Sequence, residues 1–291
     1  MTEPVSLKDI VDHIIKAQPQ MQSFRPILEK EVLHYDILSA LSHEGLLDGL
    51  VFQGGTSLRL CYGGLRYSED LDFAGDRDFV STEVLAIKEA VEDYIGKRYN
   101  LAVTVKYPKE MRQQPDYENV QVDKWQVSIE TQPGRRDLPR QKIKLEIANI
   151  PAYTPEFRFL QINHPGLPEH YEDLALQVES LPEIMSDKIV SLCASTKVVR
   201  YRDIWDLSWL AKKGHRPLPE LVEKKIHDYK IQGFEQLLQQ RLENLPALLP
   251  RFTQEMQRFL PQNELSKWEN PAFQAATLHQ ITDLLDSSVK S

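Results

Sequence analysis

From Ser6 to about Lys16, and again from Ile27 to about Leu46, apolar residues recur at three- and four-residue spacing, which predicts two amphipathic helices. The short apolar run Leu50-Val51-Phe52 predicts a strand. Gly54-Gly55 then turns the chain, and Thr56-Ser57 opens a helical run through Leu58, Leu60 and Tyr62. Ser81 to about Tyr94 reads as another helix. Strands are predicted around Leu101 to Val105, Gln121 to Ile129 and Lys142 to Ile147, giving a mixed sheet, with Gln132-Pro133-Gly134 as the hairpin or loop between the last two. The segment Pro151 to Pro168 holds several prolines and reads as a linker or extended loop. From Pro182 the period is helical almost to the end, with breaks predicted at Pro217 to Pro219, Pro246 to Pro250 and Pro261. Neither an internal repeat nor a low-complexity tract is present. The pattern predicts a bilobed α/β (α+β) protein, with a lobe built on a mixed β-sheet over residues 1–178 and a mainly helical C-terminal lobe over residues 179–291.

A chain of 291 residues can bury one large core or two smaller ones. Its two cysteines, Cys61 and Cys193, lie far apart in apolar helical contexts, which fits reduced core thiols in a cytoplasmic protein better than a disulfide or a zinc site. Met1-Thr2-Glu3-Pro4 lacks a basic region and a long apolar run, so no signal peptide is expected, and no window reaches the length of a membrane span. The net charge of −8 argues against a protein that coats nucleic acid generally, although binding depends on local patches. Two basic patches are candidates: Arg135-Arg136 with Arg140, Lys142 and Lys144, and Lys197-Val198-Val199-Arg200-Tyr201-Arg202 followed by Lys212-Lys213. Tyr201 is either a base-stacking group or a half-buried helix residue.

The most informative stretch pairs the glycine turn with two alternating carboxylates. Backbone N–H groups and the positive end of the helix dipole after Gly54-Gly55 suit a phosphate, and the hydroxyls of Thr56 and Ser57 could donate to it too. Asp70 and Asp72 flank Leu71, so on a strand both point to one face, where one divalent cation can bridge them. Alone, a Gly-Gly is a turn and an Asp-x-Asp a solvated loop, which is the reading given to Asp76 and Asp78. In this order and spacing the two halves describe a magnesium site for nucleotidyl or phosphoryl transfer. A Walker A loop does not fit, since no Gly-Lys-Ser/Thr follows, and a dinucleotide fingerprint lacks its third glycine. The best third ligand is Glu146, which alternates with Ile143, Leu145 and Ile147 on the predicted strand; an ordinary edge strand with a solvated polar face is the alternative.

Gly54-Gly55-Thr56-Ser57-Leu58-Arg59, Gly64-Leu65-Arg66-Tyr67-Ser68-Glu69-Asp70-Leu71-Asp72-Phe73 and, later, Lys188 with Arg202-Asp203-Ile204-Trp205-Asp206-Leu207 together resemble the signature of AbiEii/MenT-type nucleotidyltransferase toxins. These belong to bacterial toxin–antitoxin and phage-abortive systems within the DNA polymerase β superfamily. The resemblance implies a nucleotidyltransferase lobe followed by a helical lobe, with Asp70, Asp72 and Glu146 holding Mg2+, Mn2+ being the alternative ion. It implies that Gly54, Gly55, Thr56, Ser57, Arg66, Ser68 and Lys188 bind the nucleoside triphosphate, with Asp203 serving Lys188 or an RNA hydroxyl. From the residues alone, Lys188 would snorkel on a solvated helix face, and Asp203 and Asp206 would be first-turn carboxylates paired to Arg200 or Arg202. The implied acceptor is RNA, in particular the 3′ end of tRNA, and the implied outcome is blocked translation, relieved by an antitoxin encoded nearby. Two other functions stay open: transfer to a protein hydroxyl, and nucleotide-binding regulation with little catalysis. Ser68, two residues before Asp70, is either a hydroxyl bonded within its own turn or a position where added phosphate would compete for the site.

Overall fold

The computed structural model describes residues 6–135 and 137–289, so Arg136 of the first basic patch and the Met1–Pro4 segment lie outside the described residues. The chain divides into two compact units, residues 1–151 with 155–178, and residues 152–154 with 179–291.

In the first unit, α1 (Leu7–Ala17) and α2 (Arg25–His43) precede β1 (Val51–Gln53), α3 (Gly54–Tyr62) and β2 (Leu71–Ala74). Next come α4 (Ile87–Tyr99), β3 (Val103–Lys106), β4 (Val122–Ile129), β5 (Gln141–Ala148), β6 (Pro155–Phe159) and β7 (Ala175–Glu179). Among the described residues these strands form one mixed sheet in the order β3-β4-β5-β2-β1-β7-β6. β2 runs parallel to β5 and antiparallel to β1, while β1 runs parallel to β7.

Alternation decides what each face of the sheet carries. Phe52, Leu71, Phe73, Leu145, Ile147, Trp125, Val127 and Val178 are buried in one core cluster with Leu7, Val11 and Ile14 of α1 and with the apolar residues of α2 and α4. Their neighbours Gln53, Asp72, Glu146, Lys124, Gln126 and Gln177 therefore project from the opposite face. α1 forms because its buried residues Leu7, Ile10, Val11, Ile14 and Ile15 keep helical spacing. α3 stops at Gly63, whose left-handed conformation (φ +71°) lets Gly64 N–H reach back to the Leu58 carbonyl at 2.8 Å.

The second unit holds α5 (Leu181–Ala194), α6 (Tyr201–Lys212), α7 (Pro219–Asp228), α8 (Phe234–Met256), α9 (Gln262–Leu265) and α10 (Pro271–Ser287). At its centre Phe252 stacks on Trp268 with ring centroids 3.6 Å apart. Tyr201 is half-buried and meets Phe252 edge-on.

Four expectations need correction. The helix expected over Ser81 to Tyr94 is a 3-10 turn, Ser81–Val84, followed by α4, which runs on to Tyr99. The Pro151 to Pro168 segment contains β6, and β7 follows it; β6 is an edge strand exposed along most of its length, so Phe157 and Phe159 alternate with Glu156 and Arg158 without forming a buried face. Pro246 and Pro250 do not break α8, because Leu238, Arg241, Leu245, Leu249, Phe252 and Met256 form one buried stripe whose packing outweighs the lost backbone hydrogen bonds. β2 begins only at Leu71, so of the two alternating carboxylates Asp72 alone lies on the strand; Asp70 precedes it, and Ser68 is buried in the segment leading to it.

Candidate active site

β1 ends at Gln53 and α3 begins at the next residue, so the turn between them is as tight as the chain permits. Gly54 has φ +82°, and a Cβ there would lie 2.7 Å from Asp72 Oδ2; a Cβ on Gly55 would lie 2.2 Å from Nη2 of Arg66. The absence of both side chains is what brings a carboxylate and a guanidinium against the first turn of α3. The N–H groups of that turn have no acceptor within the helix and carry the positive end of its dipole. The hydroxyls of Thr56 and Ser57 are buried and already used: Thr56 donates to the carbonyl of Asp70, and Ser57 donates to the Gly54 carbonyl at 2.9 Å. Thr56 thus ties the turn to the residue just before β2. Arg66 is buried too, with Nη1 donating to the Tyr67 carbonyl at 2.8 Å.

Asp72 faces Gln53 across the antiparallel pair and Glu146 across the parallel pair, so the two carboxylates are neighbours on the polar face. Asp70 precedes the strand and accepts the Lys144 N–H on Oδ1 at 3.2 Å, while Lys144 Nζ lies 3.8 Å from its Oδ2. Lys124, opposite Glu146 on β4, donates to both oxygens of that carboxylate at 3.1 and 3.2 Å.

Among the described residues, no three His, Cys, Asp or Glu side chains are gathered closely enough to hold a metal ion by themselves. Magnesium, however, takes one or two carboxylates and fills its octahedron with water and substrate phosphate. Asp72 and Glu146, paired side by side with half-exposed hard carboxylate oxygens beside a phosphate-sized turn, suit such an ion, and Asp70 precedes the strand next to them.

Three residues near these carboxylates gave no signal in the sequence. Lys30 and His34, one turn apart on α2, hold Glu69, the residue before Asp70. Lys30 Nζ is 2.9 Å from Glu69 Oε1, and His34 Nε2 is 3.1 Å from the Glu69 carbonyl oxygen. Burial lowers the His34 imidazole to about 4, against the pull of the Glu69 carbonyl, so it stays neutral at ordinary pH. The third, Lys124, becomes relevant only through its register with Glu146.

In the helical unit, Lys188 on α5 lies between two carboxylates of α6, with Nζ 3.1 Å from Asp203 Oδ1 and 3.1 Å from Asp206 Oδ2. Asp203 is buried, accepts the Ser191 hydroxyl at 2.7 Å and pairs with Arg200. Burial opposes its charge, but Lys188 and Arg200 hold its carboxyl well below the usual range. Within the first unit, then, Gly54, Gly55, Thr56, Ser57, Arg66, Asp70, Asp72 and Glu146 come together, and within the second, Lys188, Asp203 and Asp206.

The mixed α/β architecture matches the folds of nucleotidyltransferase toxins. The chain is similar in fold to the nucleotidyltransferase toxin MenT4 from Mycobacterium tuberculosis, with TM-score 0.56 and 18% identity over 98% of this chain and 93% of that one. It is similar also to JHP933 from Helicobacter pylori, with TM-score 0.50 and 19% identity over 90% of this chain and 93% of that one. The chain belongs to the AbiEii nucleotidyl transferase toxin family of type IV toxin–antitoxin systems, whose model matches residues 36–277. Among curated proteins no significant match is found. Among the described residues no helix is long and apolar enough to cross a membrane.

Proposed function

We propose that this chain transfers a nucleotide from a nucleoside triphosphate to a hydroxyl of an RNA acceptor, the 3′ end of tRNA in particular, releasing pyrophosphate. The observation that carries this reading is the juxtaposition of Asp72 and Glu146, one residue on each of two parallel strands, with the Gly54 turn closed over Asp72. Asp70, Asp72 and Glu146 would hold Mg2+ or Mn2+, which supplies positive charge to the triphosphate and to the attacking oxygen. The N–H groups of the α3 first turn would bind phosphate oxygens, with Arg66 supporting them. Thr56 keeps Asp70 in place through its carbonyl, and Lys30 and His34 do the same through Glu69. The acceptor hydroxyl attacks the α-phosphorus and gives up its proton to solvent; its new bond to phosphorus forms as the bond to the β-phosphate oxygen breaks and pyrophosphate leaves. The phosphate-holding role that the resemblance implies for Lys188, and the support it implies from Asp203, belong to the same proposal.

Transfer to RNA would block translation and arrest growth in the cytoplasm, in keeping with a family of toxins, and a cognate antitoxin would restrain it. Incubating the protein with labelled nucleoside triphosphates, Mg2+ or Mn2+, total cellular RNA and lysate protein tests this. Label in RNA supports the proposal. Label in protein would move the acceptor to a protein hydroxyl, and nucleotide binding without transfer would make the chain a regulator.

A further inference from the structure

The polar face of the sheet carries more than the three carboxylates. β4 pairs antiparallel with β3 and β5 such that Lys106 opposes Gln126, Lys144 opposes Gln126 from the other side, and Lys142 opposes Ser128. Because residues directly opposite share a face, Lys106, Lys142 and Lys144 project from the same side as Lys124 and Glu146. All four lysines are exposed. Two of them are engaged, Lys124 with Glu146 and Lys144 with Asp70, which makes the lysine patch continuous with the proposed site.

The far edge of the same face is aromatic. Leu160 N–H bonds to the Leu174 carbonyl at 3.2 Å, and Ser180 N–H bonds to the Thr154 carbonyl at 3.1 Å. These two bonds set an antiparallel register in which Phe157 opposes Gln177 and Phe159 opposes Ala175. In β7, Leu176 and Val178 are buried, so Gln177 and Ala175 lie on the polar face, and Phe157 and Phe159 lie there with them. Phe157 is 73% exposed and Phe159 62%; among the described large apolar residues of the first unit, only Tyr117, at 68%, is comparably exposed. At about 4.8 Å per strand, β6 is about 14 Å from β2 on one side, and β4 is about 10 Å from it on the other.

A solvent-exposed pair of phenylalanines is poorly explained as a water-facing surface, and an exposed lysine cluster is poorly explained as a protein-docking surface for an apolar partner. Both belong to one ligand chemistry, a polyanion with flat apolar rings: lysines neutralise phosphates while aromatic faces stack bases. We propose that this sheet face is the landing surface for single-stranded nucleic acid, with Lys106, Lys142 and Lys144 along its phosphates and Phe157 and Phe159 beneath its bases. The proposal deepens the RNA-acceptor reading, on which it rests for its biological meaning but not for its test.

Binding is measured by fluorescence anisotropy with a labelled single-stranded RNA of about fifteen nucleotides, in EDTA and without nucleoside triphosphate, so that no transfer occurs. Inorganic polyphosphate of similar charge serves as the competitor without rings. The full chain is compared with the double variants Lys106→Gln with Lys142→Gln and Phe157→Ser with Phe159→Ser, none of which lies among the proposed metal or nucleotide ligands; thermal unfolding verifies that each is folded. The lysine pair should lower the slope of log affinity against log salt by about 0.7 per lysine and weaken RNA and polyphosphate alike. The phenylalanine pair should weaken RNA about tenfold or more with the salt slope and polyphosphate binding unchanged. Unchanged RNA affinity and slope in both folded variants overturns the proposal, even if RNA is labelled in the transfer assay. RNA bound through this face but never labelled would overturn the acceptor reading and leave the surface standing. If the phenylalanine variant instead loses a protein partner while binding RNA normally, the aromatic edge is a protein-docking site and the proposal fails.

Discussion

A Cβ on Gly54 would stand 2.7 Å from Asp72 Oδ2, so the first residue of α3 and a carboxylate of β2 occupy adjoining space that only glycine leaves open. The turn and the carboxylates are parts of one construction, with Thr56 bonding to the Asp70 carbonyl on the same turn.

Substitution of either glycine should separate these roles. Gly54→Ala must pay for a left-handed backbone, about 1–2 kcal/mol, and displaces Asp72 as well. It should lower the melting temperature and reduce nucleotide transfer at least about tenfold. Gly55→Ala pushes on the buried Arg66 guanidinium, which is bonded to the Tyr67 carbonyl, and should raise KM for the triphosphate with a smaller drop in melting temperature than Gly54→Ala, since Gly55 needs no left-handed backbone. Full activity in folded Gly54→Ala would contradict the assignment of this turn.

Asp70→Asn and Asp72→Asn should each abolish transfer while changing the unfolding free energy by less than about 1 kcal/mol, because neither carboxylate belongs to the apolar core. Transfer assays at several Mg2+ and Mn2+ concentrations, alongside denaturant unfolding, check this. Either variant, folded and fully active, would remove the metal assignment.

Lys188→Ala should reduce turnover at least about tenfold, and Lys224→Ala should not, when both are assayed where they are folded. Lys224 lies over the Tyr153 ring at 4.7 Å, a surface contact worth little. Equal turnover would leave Lys188 as a purely internal partner of Asp203 and Asp206.

Lys225 is a stability residue. Fully buried, its ammonium lies 2.7 Å from Glu179, 2.8 Å from Glu183 and 3.1 Å from Asp187. Burial works against the ammonium, yet Asp187 and Glu179 raise its proton affinity above the ordinary lysine range. Lys225→Met strands these carboxylates and should destabilise by about 3–5 kcal/mol in urea unfolding, against less than about 1 kcal/mol for Lys224→Ala. Similar loss in both variants would contradict the network.

His34 makes a pH prediction. Its folded value of about 4 lies below the ordinary 6.5, so between these values the unfolded chain binds more protons. Stability should therefore fall as pH drops through that window, by up to about 3 kcal/mol. Asp36 works in the opposite direction, since burial, opposed by Arg98, pushes it up to about 6; its contribution is present at low pH and lost as pH rises through 6. Comparing wild type with His34→Gln cancels Asp36. The stability difference between them should shrink from pH 7 to pH 4, and a constant difference would show that His34 does not titrate in this way.

How much was legible follows from the range of the forces involved. The Gly54-Gly55 turn and the β5 pattern around Glu146 are local, set by backbone sterics and a two-residue period, and they read directly from the chain, whereas the strand expected through Asp70-Leu71-Asp72 starts only at Leu71. Edge strand β6 is masked by Pro151, Pro155, Pro165 and Pro168, which read as a linker, although Phe157 and Phe159 alternate with Glu156 and Arg158; five residues with no buried face give too weak a signal against them. The prolines of α8 misled because their penalty is local while the stripe that outweighs it spans the helix. Lys30, His34 and Lys124 carried no signal, since each acquires its role from a partner distant in sequence.

The sequence by itself determined the family, the α/β composition and the glycine turn, and it named Asp70, Asp72 and Glu146 as the candidate acidic residues, because these readings rest on local conformation and residue chemistry. Only the tertiary structure decided that Glu146 stands beside Asp72, that Thr56 and Ser57 spend their hydroxyls on backbone carbonyls, and that lysines from three strands and two phenylalanines from a fourth share one face. Strand order and register, which no local pattern encodes, are set by which apolar faces bury together.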